Sequence, residues 1–309
     1  MTRITSTAVF ALLSLAAAAP RSSNAQITSS EYAARRTALA AKLQNGILVA
    51  LGSPEPEEDF LTFNQNSQFK YLTGFEEPEA ALVMVVKNGT ISGTPMLFVQ
   101  PSDPSREVWT GHRIGLGGAR ASLGFDGRDA ATLAGVVDSL ITANADTPLL
   151  TVGDFSGPND PILKRDNQIV SSLTRNHPAT VRSVNNEVAN LRRVRTSAEL
   201  DFIRRAINVT VGAQKEAMRF IEPGVNEFEV QALIEYDFRR NGADRPSFST
   251  IVGSGPNSTT LHYNADDRYI GPNAVIVMDI GASYRGYAAD VTRTVPAHGP
   301  FSPAQRDIY

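Results

Sequence analysis

Short apolar runs alternate with stretches of helical spacing from Ile27 to about Ala179. Gly46–Leu51 (Gly-Ile-Leu-Val-Ala-Leu), Ala80–Val86, Met96–Val99 and Leu149–Val152 are apolar segments of strand length. Such runs suit strands covered on both faces. Between them, Glu31–Leu43 and Leu133–Leu140 carry helical spacing. The alternation predicts an α/β domain over residues 26–180. It holds no acidic cluster and no phosphate loop, so it is expected to shape or present a site and not to do chemistry. Asn176-His177-Pro178 and the polar stretch Ser183 to Asn190 then break the pattern and mark a domain boundary.

The second half, from about residue 190, has a different rhythm. Thr196 with Glu199 forms a capping box for a helix reaching about Phe220. Its apolar positions Leu200, Ile203, Ile207 and Val211 share one face. Pro223-Gly224 breaks the chain, and Asn226 with Glu229 caps a second helix that stops at Asn241-Gly242. Strands are expected at Phe248–Val252 and Leu261–Tyr263, followed by a hairpin over residues 275–294. No internal repeat or low-complexity tract interrupts this α+β order.

That hairpin carries the chain's most informative residues. Asp279 follows Val275-Ile276-Val277-Met278, and Asp290 follows Tyr287-Ala288-Ala289. The first run reads as a strand buried on both faces. Burying an ionised carboxylate costs several kcal/mol even after relaxation, and two side by side would force one to keep a proton. A divalent cation between them is the simplest arrangement that leaves both charged. Direct opposition of Asp279 and Asp290 leaves Tyr284-Arg285 as a two-residue loop, with Cβ atoms about 4.5–5.5 Å apart. Tyr-Arg suits tight primed turns poorly. A longer loop with a bulge at Gly286, offsetting the pair by one residue, is the alternative. The competing structural reading is two strand-end aspartates pointing to solvent.

Composition narrows the chemistry. The 309 residues are 42% hydrophobic and 20% charged, enough for two domains, with net charge −3 and no basic run to suggest nucleic acid. Arg3, the apolar stretch Ala8 to Ala19, and the small residues Ser23-Asn24-Ala25 read as a cleaved export signal over residues 1–25. An uncleaved anchor or tail is the other reading, though about 12 apolar residues fall short of the roughly 20 that span a bilayer. Without residues 1–25, 27 Lys and Arg face 32 Asp and Glu, a net charge of −5. The chain has no cysteine. Disulfides and thiolate ligands are thereby excluded, and any metal site must use oxygen and imidazole donors, which suit manganese, zinc, cobalt or iron.

Several motifs together resemble the aminopeptidase P (Xaa-Pro aminopeptidase) group of pita-bread metallopeptidases. They are Ile251-Val252-Gly253-Ser254-Gly255, Leu261-His262-Tyr263, Asp279-Ile280-Gly281-Ala282, Gly286-Tyr287-Ala288-Ala289-Asp290 and Thr292-Arg293-Thr294. The steps of 17 residues from His262 to Asp279 and 11 to Asp290 are similar to the family's. Asn66-Ser67-Gln68-Phe69, Tyr71-Leu72-Thr73-Gly74-Phe75-Glu76-Glu77-Pro78 and Glu107-Val108-Trp109-Thr110-Gly111 resemble its N-terminal domain. The resemblance implies a ribonuclease H-like α/β N-terminal domain, then an α+β pita-bread catalytic domain beginning near residue 190 and incomplete here.

It further implies that Asp279 is a terminal ligand of one metal, that Asp290 bridges two, and that His262 hydrogen-bonds the scissile peptide without ligating. The implied cofactor is a pair of divalent ions, Mn2+ foremost with Zn2+ or Co2+ as alternatives. The implied reaction is attack of a metal-activated water on the bond between an N-terminal residue and a following proline. Partners would be peptides with proline second and further copies of the chain; no nucleic acid and no stable membrane anchor are expected. The remaining ligands of the family, one His and two Glu, fall beyond residue 309. The chain stops seven residues into a helix starting at Ser302-Pro303. It therefore reads as part of a longer protein, inactive alone.

Other residues stay open at this level. Trp109 either reaches the substrate channel of a neighbouring subunit or is a core or interface tryptophan. His112, His177 and His298 read as surface residues, and Gly253-Ser254-Gly255 lacks the context of a dinucleotide loop. A prolidase-type dipeptidase and a non-catalytic peptide-binding pita-bread module are the competing functions.

Overall fold

The computed structural model describes residues 26–58, 61–144, 147–152, 161–175 and 180–309. The segment read as an export signal, and His177 with its neighbours, lie outside them. The first unit runs α1 (Ser29–Leu43), β1 (Gly46–Leu51), α2 (Ser67–Thr73), β2 (Ala81–Lys87), β3 (Thr90–Ile91), β4 (Met96–Val99) and α3 (Pro104–Thr110). It continues with α4 (Gly115–Leu123), β5 (Asp126–Asp129), α5 (Leu133–Ala143), β6 (Leu149–Val152), α6 (Pro161–Leu173), β7 (Val181–Ser183) and α7 (Asn185–Arg192). The strands make one mixed sheet in the order β5-β4-β2-β1-β6-β7, with β3 hairpinned to β2. Strand β1 is central and every residue of it is buried. Ile47, Val49 and Leu51 pack with Val137, Ile141, Val170 and Leu173 on one side. Leu48 and Ala50 pack with Leu39, Leu43, Phe69 and Leu72 on the other. Burying each of these large side chains is worth about 1.5–3 kcal/mol. The expected boundary moves: β7 pairs with β6, and Val184 and Val188 join the first core. The polar Ser183–Asn190 stretch is thus the last helix of this unit and not a linker.

The second unit contains α8 (Ser197–Phe220), α9 (Glu227–Arg240), β8 (Arg245–Pro246), β9 (Ile251–Ser254), β10 (Val275–Ile280), β11 (Ala282–Tyr284), β12 (Tyr287–Ala288), β13 (Val291–Pro296) and α10 (Pro303–Ile308). Both capping boxes form as read, Thr196 with Glu199 and Asn226 with Glu229. Strands β13-β10-β9 make one antiparallel sheet and β12-β11-β8 another. One face of β10 (Ile276, Met278, Ile280) packs on Val209, Ala213 and Ala217 of α8 and Val230, Ile234 and Phe238 of α9.

Two expectations fail here. The buried stripe of α8 is Phe202, Ala206, Val209, Ala213 and Ala217, while Leu200 and Ile207 are exposed. Both stripes have helical spacing; alanines at 213 and 217 let this face approach the strands closely, which bulkier residues would prevent. Strand β10 alternates half-exposed and buried positions and is not covered on both faces.

The two units are joined where α8 starts. The Thr196 hydroxyl donates to Glu31 Oε1 at 2.8 Å, and Arg35 of α1 lies 3.5 Å from the buried Glu199. Glu199 Oε1 also accepts from the Tyr287 hydroxyl at 3.0 Å. A chain of contacts thus runs from the first unit to the hairpin, ending three residues before Asp290.

Candidate metal centre

The hairpin keeps the two aspartates together through a register that differs from both expected ones. Asp279 faces Thr292, not Asp290, and Tyr284 pairs with Tyr287. The turn residues are therefore Arg285 and Gly286, both left-handed at φ 50° and 83°. Two successive left-handed residues make the primed turn that matches strand twist, and Gly286 supplies the second without strain. Relative to direct opposition the partner strand has slid by two residues. Side chains alternate with period two, so Asp290 stays on the same face as Asp279, as its diagonal neighbour. Gly281 lies where the strands cross most closely. A Cβ there would collide with the Ala289 carbonyl and the Ser247 hydroxyl, so only glycine lets the backbone leave Asp279 and arrive at Asp290 in this geometry.

Asp279, Asp290 and His262 line one pocket of about 340 Å³, with Phe248, Ser249, Ile251 and Asn264 completing the wall. Ile251 of β9 flanks Asp279 on one side and Thr292 on the other, its hydroxyl donating to Asp279 Oδ1 at 2.7 Å. The Asp290 carboxyl is held above the ordinary aspartate range. Desolvation at the pocket wall is the main cause, followed by the charge of Asp279 and a hydrogen bond shared with it. A divalent ion between two neighbouring carboxylates would relieve the repulsion that raises Asp290. The donors thus fit a hard or borderline cation. Among the described residues no group of three or more His, Asp or Glu side chains converges as a metal site. The expected burial is not found: Asp279 is half-buried and Asp290 exposed, because the face of β10 that carries Asp279 is the uncovered one.

His262 reaches this pocket from a turn and not from the expected strand. Residues 255–268 leave β9, form a short 3-10 helix at Gly255–Thr259, and are tied down by side chains, which removes the need for strand pairing. Strand β9 itself begins at Ile251, three residues later than read. Thr292, in a motif noted for resemblance alone, supplies the hydroxyl on Asp279. Glu227, missed altogether, is the fully buried carboxylate beneath the His262 loop; its place at the start of a capped helix gave no chemical signal. Trp109 is 89% exposed on α3, which removes the core reading. His112 and His298 are exposed as expected, His112 against Glu107 at 3.1 Å. Gly255 opens a 3-10 turn and no dinucleotide loop.

Comparison with known proteins agrees with both halves of the fold. Residues 32–148 match the aminopeptidase P N-terminal domain, and residues 201–309 match metallopeptidase family M24. The chain is 32% identical to the Xaa-Pro aminopeptidase of Escherichia coli (strain K12), over 92% of its own length and 66% of that protein's. It is 33% identical to Xaa-Pro aminopeptidase 3 of Homo sapiens over 80% of its length and 49% of the relative's. Among solved structures, the low-pH form of E. coli aminopeptidase P superposes with a TM-score of 0.81 at 31% identity, covering 92% of this chain and 66% of that one. Pseudomonas aeruginosa aminopeptidase PepP gives 0.79 at 32% identity, with 92% and 65% covered. The chain therefore spans about two thirds of the length of these bacterial relatives. With both domain types present in order and the fold shared over 92% of the chain, it belongs to the aminopeptidase P family of the M24 metallopeptidases.

Proposed function

We propose that the protein to which this chain belongs is a metal-dependent aminopeptidase that removes an N-terminal residue preceding proline. The observation that carries the reading is the convergence of Asp279, Asp290 and His262 on one pocket in a chain of this family. Asp279 and Asp290 would hold divalent cations, Mn2+ being the favoured pair. When bound, such ions lower the pKa of a coordinated water and polarise the carbonyl it attacks. The chain's own residues supply placement. Thr292 fixes one oxygen of Asp279 by its hydroxyl, leaving the other carboxylate lone pairs for a ligand. His262 stands on the pocket wall beside the aspartates, where a ring N–H can donate to the substrate carbonyl oxygen as negative charge develops there. Phe248 and Ile251 give that wall an apolar part, suited to a pyrrolidine ring or a side chain.

Residues 1–25 are proposed to direct export and to be removed, and amino-terminal sequencing of the mature protein should begin at Gln26. An amino terminus retaining Met1 or Thr2 would end that reading. The activity is tested with the intact protein, Mn2+ and paired peptides carrying proline or alanine second. Release of the first residue from the proline peptide alone, abolished by EDTA and restored by Mn2+, is expected. Cleavage indifferent to proline, or surviving exhaustive chelation, would overturn the proposal.

A further inference from the structure

His262 has no hydrogen bond of its own among the described residues, yet its loop is held firmly from below. Glu227, in the first turn of α9, is 0% exposed. Its Oε1 accepts the Ser254 N–H at 2.6 Å and the Asn257 side-chain amide at 3.3 Å. Its Oε2 accepts the Tyr263 hydroxyl at 2.8 Å, the Arg268 N–H at 3.1 Å and again Asn257 at 3.2 Å. The Glu227 N–H in turn donates to the Arg268 carbonyl at 2.9 Å. All four donor residues lie on the single segment from 254 to 268. No Lys or Arg forms an ion pair with Glu227 among the described residues, so loop donors and the N-terminus of α9 compensate its charge. A carboxylate accepting several N–H and O–H bonds is one of the few ways to keep a buried anion stable without a cation.

The tie nearest the pocket is Tyr263, the residue next to His262. Its hydroxyl also meets Asn257 and Asp267, and burial with its acidic neighbours pushes its pKa up to about 12, so it stays a protonated donor. Val252 N–H to Asp266 Oδ1 at 3.0 Å fastens the far side of the loop to β9.

We propose that Glu227 is a positioning residue for His262. Its carboxylate gathers residues 254–268 beneath the pocket and so sets where the imidazole stands relative to Asp279 and Asp290. The inference rests on the reading above, in which His262 acts on the substrate. Glu227 touches no substrate and reaches the chemistry only through the loop.

The test is a double-mutant cycle in the intact Mn2+-loaded protein, measuring kcat and KM on a Xaa-Pro peptide. Glu227→Gln places an amide N–H2 against donors and loses part of the network, while Tyr263→Phe removes one hydroxyl and leaves the other four bonds. Displacements on the order of 1 Å at a reacting group can cost about 100-fold. Glu227→Gln is therefore expected to lower kcat by roughly 10–100-fold and Tyr263→Phe by roughly 3–10-fold. KM should move less than about threefold and bound Mn2+ should be unchanged, because both aspartates are intact. In a His262→Ala background both changes should have almost no further effect on kcat. Equal losses in the two backgrounds, or wild-type kcat in both single variants, would overturn the positioning role. If Glu227→Gln does not fold, Tyr263→Phe with and without His262→Ala decides alone. His262→Ala with wild-type kcat would instead remove the catalytic reading of His262, a separate failure.

Discussion

Strand β1 of the first unit and strand β10 of the second are both dominated by apolar residues but do opposite work. Strand β1 is covered on both faces by helices, and its side chains have no role beyond packing. Strand β10 rests one face on α8 and α9 and leaves the other half-open, and that open face holds Asp279 with Asp290 diagonal to it. A carboxylate pair placed on a closed sheet would be desolvated without a partner; on the half-open one it can be solvated, protonated or bound to a cation. The difference locates chemistry where packing is incomplete.

Substitutions should separate the two regions cleanly. The largest effect belongs to Asp290→Asn on the open face: a neutral amide bridges cations poorly, so Xaa-Pro hydrolysis by the intact protein should fall at least ~1,000-fold, or about 4 kcal/mol in the barrier. Its metal-free unfolding free energy should change by only about 0.5 kcal/mol, as for other exposed sites. Near-native turnover would remove Asp290 from the site. On the closed sheet the pattern should invert. Phe98→Ala, at a fully buried position, should cost about 3–5 kcal/mol in urea unfolding while leaving kcat of the folded fraction within about twofold. A loss below about 1 kcal/mol would mean that this sheet is less tightly packed than its burial implies.

A smaller and pH-dependent effect belongs to the loop between β9 and β10. Asp266 is fully buried, and its Oδ2 has no hydrogen-bond partner among the described residues. Desolvation, opposed by the Val252 N–H and reinforced by Glu227, raises its pKa from 3.8 to about 6. The folded state then holds the proton more tightly than the unfolded state, so stability from this group falls as pH rises from about 4 to 6 and stays low above. Asp266→Asn should therefore stabilise the protein by about 1–3 kcal/mol at pH 7.5, and the gain should shrink toward zero near pH 4. A difference in Tm that is constant across that range would contradict the shift.

Much of this was legible in the chain. Period and caps located β1, β4 and β6 to the residue and both capping boxes, because local sequence decides those features. The aspartate pair drew notice through its conflict with an apolar run, although the strand face that carries Asp279 is half-open and not buried. Register was not: opposing Asp279 to Asp290 looked simplest, but Arg285 accepts a left-handed conformation that places the turn one residue later and slides the strand by two. The packed face of α8 was also misread, since two stripes share its period and only the fit of alanines against β10 selects one. The anchoring of His262 by Glu227 joins residues 35 positions apart through a loop without periodic pattern, which a sequence reading has no means to pair.

The central claim is that Asp279 and Asp290 together ligate a divalent cation. Anomalous diffraction at the manganese edge, from crystals equilibrated with millimolar MnCl2, tests it most directly. A peak within coordination distance of oxygens from both carboxylates is expected, absent in Asp290→Asn crystals. Density at neither residue, or manganese held by one while the other turns to solvent, would contradict it.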